Sequence, residues 1–343
     1  VETDVGALFW RRGEGYFSLT TVDNRDRIRW HPLAADDSRL IGSMDSVLSG
    51  LPCFEYGPVF CRHRVDVDAL GSRLAYAQGN RVYLRSLEDW SRQPRPIGEH
   101  DQTIDAVEFH PRGDHVVARD ASGEARVWST SESRPPSVQP LRSLQSPNMP
   151  RYDASGRWLA TVDLERGRTR AWLWDMSAPA EVAPLALWRG DSAFFGVLAF
   201  HPSGPWISFS TVADASFFPL NGPHPWVLRA GYMRARDPQF SPDGKWLVAS
   251  ALREIRAWPL EGQDNGAGRT LVDDLEDWGA FIAFHPSGES LAYSDFLGDV
   301  VAVVPLDEGP RRVMPGKARG VPAFSPDGRL LAVPSYLSLS SRW

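Results

Sequence analysis

The sequence contains little cysteine. Its two cysteines among 343 residues are Cys53 and Cys61. Two thiols cannot build a disulfide framework, and they cannot supply a four-ligand zinc site without other residues. They form a single bridge in an oxidising compartment or stay reduced in a variable loop, and the sequence leaves both alternatives open. Low cysteine content favours the cytoplasm, although the localisation stays unknown.

Long apolar runs and an excess of positive charge are also missing. The longest run of valine and alanine, residues 300–304, is far shorter than the ~18 residues of a membrane helix. We therefore expect no membrane insertion by this segment, and no cationic start followed by an apolar stretch marks a secretory leader. The formal net charge of −6 argues against a nucleic-acid partner.

The sequence patterns of catalytic and metal sites are absent as well. We find no G-x-S-x-G elbow, no P-loop, no G-x-G-x-x-G after a strand and no set of kinase motifs. His63, His115 and His224 show no H-x-x-H or H-E-x-x-H spacing that would support a metal site. The sequence therefore predicts no catalysis, no metal and no cofactor.

Turns and an internal repeat dominate what is present. The 29 glycines and 28 prolines exceed average usage, which indicates many turns and short elements. The segment Phe240-Ser-Pro-Asp-Gly-Lys-Trp-Leu recurs as Phe324-Ser-Pro-Asp-Gly-Arg-Leu-Leu. Every copy has an apolar residue three positions after its glycine, and every copy except that of Val67 has an aromatic residue four positions before it. The eight anchor glycines are Gly13, Gly71, Gly113, Gly156, Gly204, Gly244, Gly288 and Gly328.

Each copy predicts four short strands. The first and second flank the tight Pro-Ser-Gly or Pro-Asp-Gly turn. The first, as in 281–284, is short and apolar, as a strand buried on both faces should be, and Trp246–Ser250 is an example of the second. The third strand alternates, as in 254–258, and carries an aromatic residue. The fourth is least regular, as in Arg269–Val272 and 311–314, and we expect it at an exposed edge.

These units resemble WD40 repeats, which recur every 40–45 residues or so and build β-propellers with four strands per blade. The Trp-Asp pair survives only at Trp174-Asp175, and a histidine, an aspartate and a tryptophan occur together only around Gly113. The resemblance implies structural roles for six residues, the first three as a buried hydrogen-bond network: His100, Asp120, Trp128, Trp174, Asp175 and Trp258. The units are also similar to the propellers of TolB and of prolyl oligopeptidases.

The predicted fold is all-β: a single WD40-like β-propeller over residues 1–343, made of four-stranded antiparallel blades. Eight repeat units account for the chain, a seven-bladed ring is the alternative, and the last blade is expected to lack its outer strand. We expect an insertion around 34–56, and a loop with a poor outer strand over 129–150. Because residue 1 is not Met and the last unit stops on its third strand, we expect a clipped part of a longer chain.

The resemblance also implies a binding face. In propellers of this type one face consists of the loops that lead into the innermost strand and the loops that join the second and third strands. Aromatic and arginine side chains, which interface hot spots favour, occupy these loops here. For each, packing between blades or a solvated loop is the alternative. The candidate binding residues are Arg166, Arg168, Trp188, Phe195, Tyr232, Arg234, Arg253, Trp278 and Phe296.

The predicted function is a non-catalytic scaffold that binds a protein or peptide. By resemblance, it is the sensor or regulatory propeller of a bacterial signalling protein with a Ser/Thr kinase or a STAND-type ATPase. The alternatives are the gating propeller of a prolyl-oligopeptidase-like hydrolase and a TolB-like envelope propeller. His110, His201 and His285 occupy the serine position of the turn motif, where we expect turn-structural roles. The oligomeric state is unknown.

Overall fold

A computed structural model describes most of the chain. The described residues are 5–11, 15–22, 25–32, 38–45, 64–131, 139–141, 150–165, 168–178, 182–190, 198–204, 206–210, 215–220, 226–228, 236–260, 268–275, 279–295, 300–315 and 320–333. They form thirty short β-strands, with no α-helix among them. Within these ranges, no helix has the length and apolar character that crossing a bilayer requires.

The strands form small antiparallel sheets, which we number along the chain. Sheet 1 contains β1 (Val5–Arg11), β2 (Gly15–Val22), β3 (Arg25–Pro32) and β4 (Arg39–Asp45). Sheet 2 contains β5 (Val65–Val67), β6 (Arg73–Gln78), β7 (Arg81–Ser86) and β8 (Arg95–Glu99). Sheet 3 contains β9 (Ile104–Phe109), β10 (His115–Asp120), β11 (Ala125–Ser129) and β12 (Gln139–Leu141). Sheet 4 contains β13 (Arg151–Tyr152), β14 (Trp158–Glu165), β15 (Arg168–Asp175) and β16 (Leu185–Gly190).

The second half of the chain continues the same pattern. Sheet 5 contains β17 (Ala199–Phe200), β18 (Trp206–Ser210), β19 (Ala215–Pro219) and β20 (Trp226–Leu228). Sheet 6 contains β21 (Arg236–Phe240), β22 (Trp246–Ser250), β23 (Ile255–Pro259) and β24 (Arg269–Val272). Sheet 7 contains β25 (Ala280–Phe284), β26 (Ser290–Asp295), β27 (Val301–Pro305) and β28 (Arg312–Val313). Sheet 8 contains β29 (Ala323–Phe324) and β30 (Leu331–Ala332).

Every sheet is a meander in which consecutive strands pair antiparallel. The prediction of eight four-stranded blades, or of a seven-bladed ring, is not confirmed in that form: the described residues give seven four-stranded sheets and a two-stranded sheet 8. The chain beyond Val333 lies outside the described residues, and so does the predicted loss of the last outer strand. The coarser prediction, an all-β architecture of small antiparallel sheets, is confirmed.

Contacts divide the chain into two compact units. Unit 1 consists of Val1–Arg62 with Ala280–Trp343 and contains sheets 1, 7 and 8, and unit 2 consists of His63–Gly279 and contains sheets 2 to 6. The stretch 34–56, predicted as an insertion, includes β4, so part of it is the fourth strand of sheet 1. The stretch 129–150 contains the short outer strand β12, as predicted.

The second strands of sheets 3, 6 and 7 are deeply buried. In β10, β22 and β26 all residues but the first are buried, because these strands have sheets or neighbouring strands on every side. The third strands alternate between buried and partly buried residues, as in β7. Their tryptophans lie deep: Trp128 is fully buried and Trp258 nearly so. Each such side chain stabilises the fold by about 1.5–3 kcal/mol.

Within unit 2, consecutive sheets pack against each other in chain order. Val82 and Ile97 of sheet 2 share one apolar cluster with Ile104 and Trp128 of sheet 3. Similar clusters join sheet 3 to sheet 4 and sheet 4 to sheet 5, and Trp206 of sheet 5 packs on the cluster of sheet 6. A single four-stranded sheet cannot bury both of its faces, so this serial stacking supplies the core.

Candidate binding face

The predicted binding face lies at the edge of each sheet where the first strand begins and the second strand ends; we call it the loop face. At sheets 2 and 3, backbone hydrogen bonds hold the segment 101–103 from both sides. The N–H of Ile104 donates to the carbonyl of Gly79, and the N–H of Ala121 donates to the carbonyl of Thr103, both at 2.8 Å. The β6–β7 turn and the β10–β11 turn each join a second strand to a third strand. Both therefore hold the segment 101–103, which leads into β9.

At sheet 6, the turn between the second and third strands likewise bonds the segment that follows β24. The N–H of Leu275 donates to the carbonyl of Arg253 at 3.1 Å, and the N–H of Gly279 donates to the carbonyl of Leu252 at 3.0 Å. Gly279 has a φ of +77°. A Cβ at this position would meet the carbonyl oxygen of Ala251 at 2.6 Å, so the close approach of the two loops requires glycine.

Ion pairs cover the loop face at sheets 2 and 3. Arg126 contacts Glu124 at 2.9 Å and Asp101 at 3.3 Å, and Arg81 contacts Glu99 at 3.2 Å. These side chains are exposed or partly exposed, so each pair contributes at most about 1 kcal/mol to stability. They place charge of both signs at fixed positions along this edge.

A buried histidine–aspartate pair lies directly beneath this edge. His100 Nδ1 is 3.1 Å from Asp120 Oδ2, and both side chains are almost fully buried. Burial lowers the pKa of His100 more than the Asp120 carboxylate raises it, so the ring is neutral at pH 7. Asp120 also accepts hydrogen bonds from the N–H and hydroxyl of Ser122, and Trp128 meets the His100 ring edge to face at 5.0 Å. The pair fixes the turn that the loop face presents.

The Trp174-Asp175 pair has a different environment. The Nε1–H of Trp174 donates to Thr161 Oγ1 at 2.9 Å, across the β14–β15 pairing. Asp175 pairs with Arg157 at 3.0 Å and accepts hydrogen bonds from Ser177. The hydrogen bond from Arg157 is the largest of the effects that lower the pKa of Asp175 to about 2. The tryptophan thus stabilises the sheet interior, and the aspartate stabilises the turn that follows β15.

The tryptophans of sheets 3 and 6 pack against glycine instead. A Cβ at Gly98 would overlap the indole of Trp128, and a Cβ at Gly268 would overlap that of Trp258. Neither indole N–H has a hydrogen-bond partner among the described residues. These two side chains therefore act through apolar contact, and glycine at the neighbouring position makes that contact possible.

Of the predicted binding residues, Arg253 is exposed at the loop face, where its carbonyl accepts the bond from Leu275. Arg168 and Trp188 were predicted in loops. Arg168 lies in β15, because the β14–β15 hairpin extends to the pair Glu165–Arg168, and Trp188 lies in β16, where it pairs with Ala171. Their binding role stays a prediction. The others lie outside the described residues: Arg166, Phe195, Tyr232, Arg234, Trp278 and Phe296.

Histidine links between sheets form a pattern that the sequence analysis missed. The histidine in the serine position of the first turn donates from Nε2 to the carbonyl of the anchor glycine in the next sheet. Its ring also meets the aromatic residue four positions before that glycine edge to face, with centroids 5.0–5.1 Å apart. The pairs are His110 with Gly156 at 3.0 Å, His201 with Gly244 at 2.8 Å and His285 with Gly328 at 3.1 Å.

Other residues in the same position act differently. Ser241 and Asp153 bond the backbone N–H of their own turn. Asp68 bonds Arg73 at 2.9 Å, and Arg73 in turn donates to the carbonyl of Gly113 in the next sheet at 2.7 Å. Each hydrogen bond between sheets contributes about 1 kcal/mol to the contact between one sheet and the next.

A second set of links joins the first strands. Asp66 accepts the backbone N–H of Phe109 at 2.7 Å, and Glu108 accepts that of Tyr152 at 3.0 Å. Arg151 pairs with Glu108 at 3.2 Å. Burial raises the pKa of Asp66 to about 7 and also raises the pKa of Glu108. Each carboxylate lies one residue before the aromatic position of its repeat, a spacing visible in the sequence.

Comparison with solved structures identifies the fold. The C-terminal WD40 domain of Sif2 matches with a TM-score of 0.68, covering 98% of this chain and 94% of that domain at 11% sequence identity. Hydrazine synthase of Kuenenia stuttgartiensis matches with a TM-score of 0.55, covering 79% of this chain and 92% of that chain at 12% identity. The chain therefore has a WD40-type β-propeller fold with small antiparallel sheets.

The chain matches its curated relatives over only part of their length. The chain is 27% identical over 144 residues to "Tricorn protease homolog 1" of Streptomyces coelicolor, which is 39% of this chain and 13% of that protein. It is 25% identical over 206 residues to the "66 kDa stress protein" of Physarum polycephalum, which is 57% of this chain and 32% of that protein. No protein-family model matches the chain.

Proposed function

We propose that this chain is a non-catalytic scaffold that binds a protein or peptide on its loop face. The backbone clamps at this edge carry the proposal: segment 101–103 is held between Gly79 and Ala121, and Gly279 is held against Leu252. Loops held on a rigid frame lose little conformational entropy when a partner binds, which is the physical requirement for a recognition surface.

We further propose that the scaffold is the sensor or regulatory propeller of a larger bacterial signalling protein. The support is the resemblance of its divergent repeats to those that accompany Ser/Thr kinases and STAND-type ATPases. In such an arrangement the propeller supplies binding and the attached domain supplies the reaction. The protein's full reading frame tests this proposal, which requires kinase or ATPase motifs there and is wrong if they are missing.

Quantitative pull-down with loop-face variants tests the binding function. Replacing Tyr232 and Trp278 by alanine removes two large side chains of the predicted face without changing charge. We expect each captured partner to be retained at least tenfold less than by the wild type, since aromatic residues at interface centres contribute on the order of 2 kcal/mol or more each.

The matched control changes two apolar residues at the opposite edge. Leu70 and Leu330 lie in the turns between first and second strands and are 69% and 47% exposed. Their double alanine variant should retain the partners at full affinity. Equal retention by both variants, or loss only in the Leu70/Leu330 variant, contradicts a partner site on the loop face.

As a second proposal, this chain is the propeller of a hydrolase. The similarity to the protein named "Tricorn protease homolog 1" favours it, although that match covers only 13% of the relative. On this proposal the chain admits peptides to an attached catalytic domain, so a G-x-S-x-G elbow is required in the full reading frame. The third alternative, a TolB-like envelope propeller, requires a secretory leader instead.

A further inference from the structure

The turn between β9 and β10 brings two imidazoles and a carboxylate together. His110 follows β9, Asp114 lies in the turn and His115 begins β10, and the N–H of His110 donates to the carbonyl of His115 at 2.9 Å. Asp114 Oδ1 is 2.6 Å from Nδ1 of His110 and 3.1 Å from Nδ1 of His115. One ligand atom from each residue lies within 4.8 Å of the others.

The link to the next sheet determines which nitrogen of His110 is available. Nε2 of His110 donates to the carbonyl of Gly156 at 3.0 Å, so a neutral ring carries its proton there and a lone pair on Nδ1. That lone pair faces the Asp114 carboxylate at 2.6 Å. Two electron-rich groups at this distance repel each other unless a proton or a metal cation lies between them.

The related turns lack this arrangement. The turns of His201 and His285 have Trp206 and Ser290 at the position of His115. In all three turns the histidine Nδ1 accepts the backbone N–H two residues further on, at 3.2 Å in His201, 3.1 Å in His285 and 3.3 Å in His110. What distinguishes the turn of His110 is the Asp114 carboxylate, 2.6 Å from the same nitrogen.

We propose that His110, Asp114 and His115 bind a divalent transition-metal ion of the zinc type. Two imidazole nitrogens and one carboxylate oxygen are ligands that Zn²⁺ accepts at about 2.0–2.2 Å. The side chains of Asp114 and His115 are 50% and 44% exposed, so they can rotate to admit the ion and leave its fourth position to water. The side chain of His110 is only 8% exposed and provides the fixed ligand.

One further feature suits a metal ligand set. The bond from His110 to the Gly156 carbonyl is the kind of outer contact that orients metal-binding histidines. Because His110 also contacts sheet 4, the bound ion would stabilise the junction of sheets 3 and 4.

A second group of possible ligand residues does not support a metal site. One ligand atom each from His100, Asp120 and Glu124 lies within 4.8 Å of the others. There, however, His100 bonds Asp120 directly, and Asp120 Oδ1 accepts the backbone N–H groups of Ser122 and Glu124. This group belongs to the buried network beneath the loop face.

Isothermal titration of chelator-treated protein with ZnCl₂ tests the proposal. We expect a Zn²⁺ site of one ion per chain whose affinity falls at least tenfold in His115→Gln and in Asp114→Asn, as loss of a ligand requires. The matched control is Asp101→Asn, which makes the same change at a carboxylate that is 85% exposed and should leave the affinity unchanged. Absence of Zn²⁺ binding, or equal affinity in both variants and the wild type, overturns the proposal.

Two measurements on the wild type complete the test. In an imidazole ¹H–¹⁵N spectrum, Zn²⁺ should shift the Nδ1 resonances of His110 and His115, and leave those of His201 and His285 in place. Zn²⁺ should also raise the Tm of the wild type and leave that of Asp114→Asn unchanged, as linkage requires. Shifts confined to other histidines contradict the assignment, even if the chain binds zinc.

Discussion

At the scale of single residues, the anchor glycines satisfy two requirements at once. Gly244 has a φ of +74°, and its N–H closes the turn by donating to the carbonyl of Ser241 at 2.8 Å. Its own carbonyl accepts the bond from His201, whose ring occupies the space that a Cβ would fill. A positive φ alone explains why glycine suits a turn, whereas the histidine explains why no side chain fits there.

This double requirement predicts a difference between two glycine substitutions. Gly79 has a φ of +62° and open space around a Cβ, so Gly79→Ala should cost only about 1–2 kcal/mol of backbone strain. Gly244→Ala has the same strain and must also displace the His201 ring, which adds about 1–3 kcal/mol. Urea unfolding of both variants measures the difference. Equal destabilisation would show that the histidine link adds nothing to the turn.

At the scale of strands and sheets, carboxylates connect one first strand to the next. Asp66 of β5 bonds the backbone of Phe109 in β9, and burial holds its pKa near 7, well above the ordinary value of 3.8. A group whose pKa is raised in the folded state contributes stability while it is protonated. That contribution is fully present below the unfolded pKa and is lost as pH rises through about 7.

Asp66→Asn should therefore change the pH dependence of stability. Asparagine never ionises, and its amide oxygen can still accept the N–H of Phe109. Between pH 5 and pH 7, the free energy of unfolding of the wild type should fall relative to that of the variant by up to about 1.4 kcal/mol per pH unit. Above pH 8 the difference should be constant.

Denaturant unfolding of both proteins at each pH makes this comparison. The control is Asp101→Asn, since Asp101 is exposed and makes only a weak ion pair with Arg126. Parallel pH profiles for the wild type and Asp66→Asn would mean that Asp66 is ionised in the folded protein throughout this range. The carboxylate link would then be an ordinary charge-assisted hydrogen bond.

Strands with buried faces could be predicted from the sequence, and links between sheets could not. The apolar residue three positions after each glycine, such as Leu247, marks a strand that must be buried, and Trp258 marks the next. The bond from His201 to Gly244 joins residues 43 positions apart, and nothing in the local pattern identifies that partner. The fourth strands were the least predictable, because edge strands such as β28 are exposed and carry little apolar pattern.

At the scale of the whole molecule, stacked sheets turn a weak module into a stable scaffold. Each sheet of unit 2 shares an apolar cluster with the next, and histidine, arginine and carboxylate links reinforce the junctions. The strands and the turns between first and second strands perform this packing. The loop face can therefore vary with less effect on stability.

The edge at which these loops lie could be predicted, but the placement of individual residues within them could not. The turn pattern places the loops at one edge, where Arg253 lies exposed. Trp188 was predicted in a loop and lies in β16, because long paired strands extend further in sheet 4 than the repeat suggests. His115 does not match the H-x-x-H or H-E-x-x-H spacing of metal-binding histidines in the sequence. In the structure a turn rather than a helix brings its ring close to that of His110.

Hydrogen–deuterium exchange with and without a captured partner tests the binding face most directly. The proposed function predicts slower amide exchange at 79–80, 101–103, 121–123 and 252–253, where the clamped loops meet the partner. Exchange at 69–71, 111–114 and 153–156, in the turns at the opposite edge, should stay unchanged. Protection confined to those opposite turns, with none at the loop face, would contradict the proposed function.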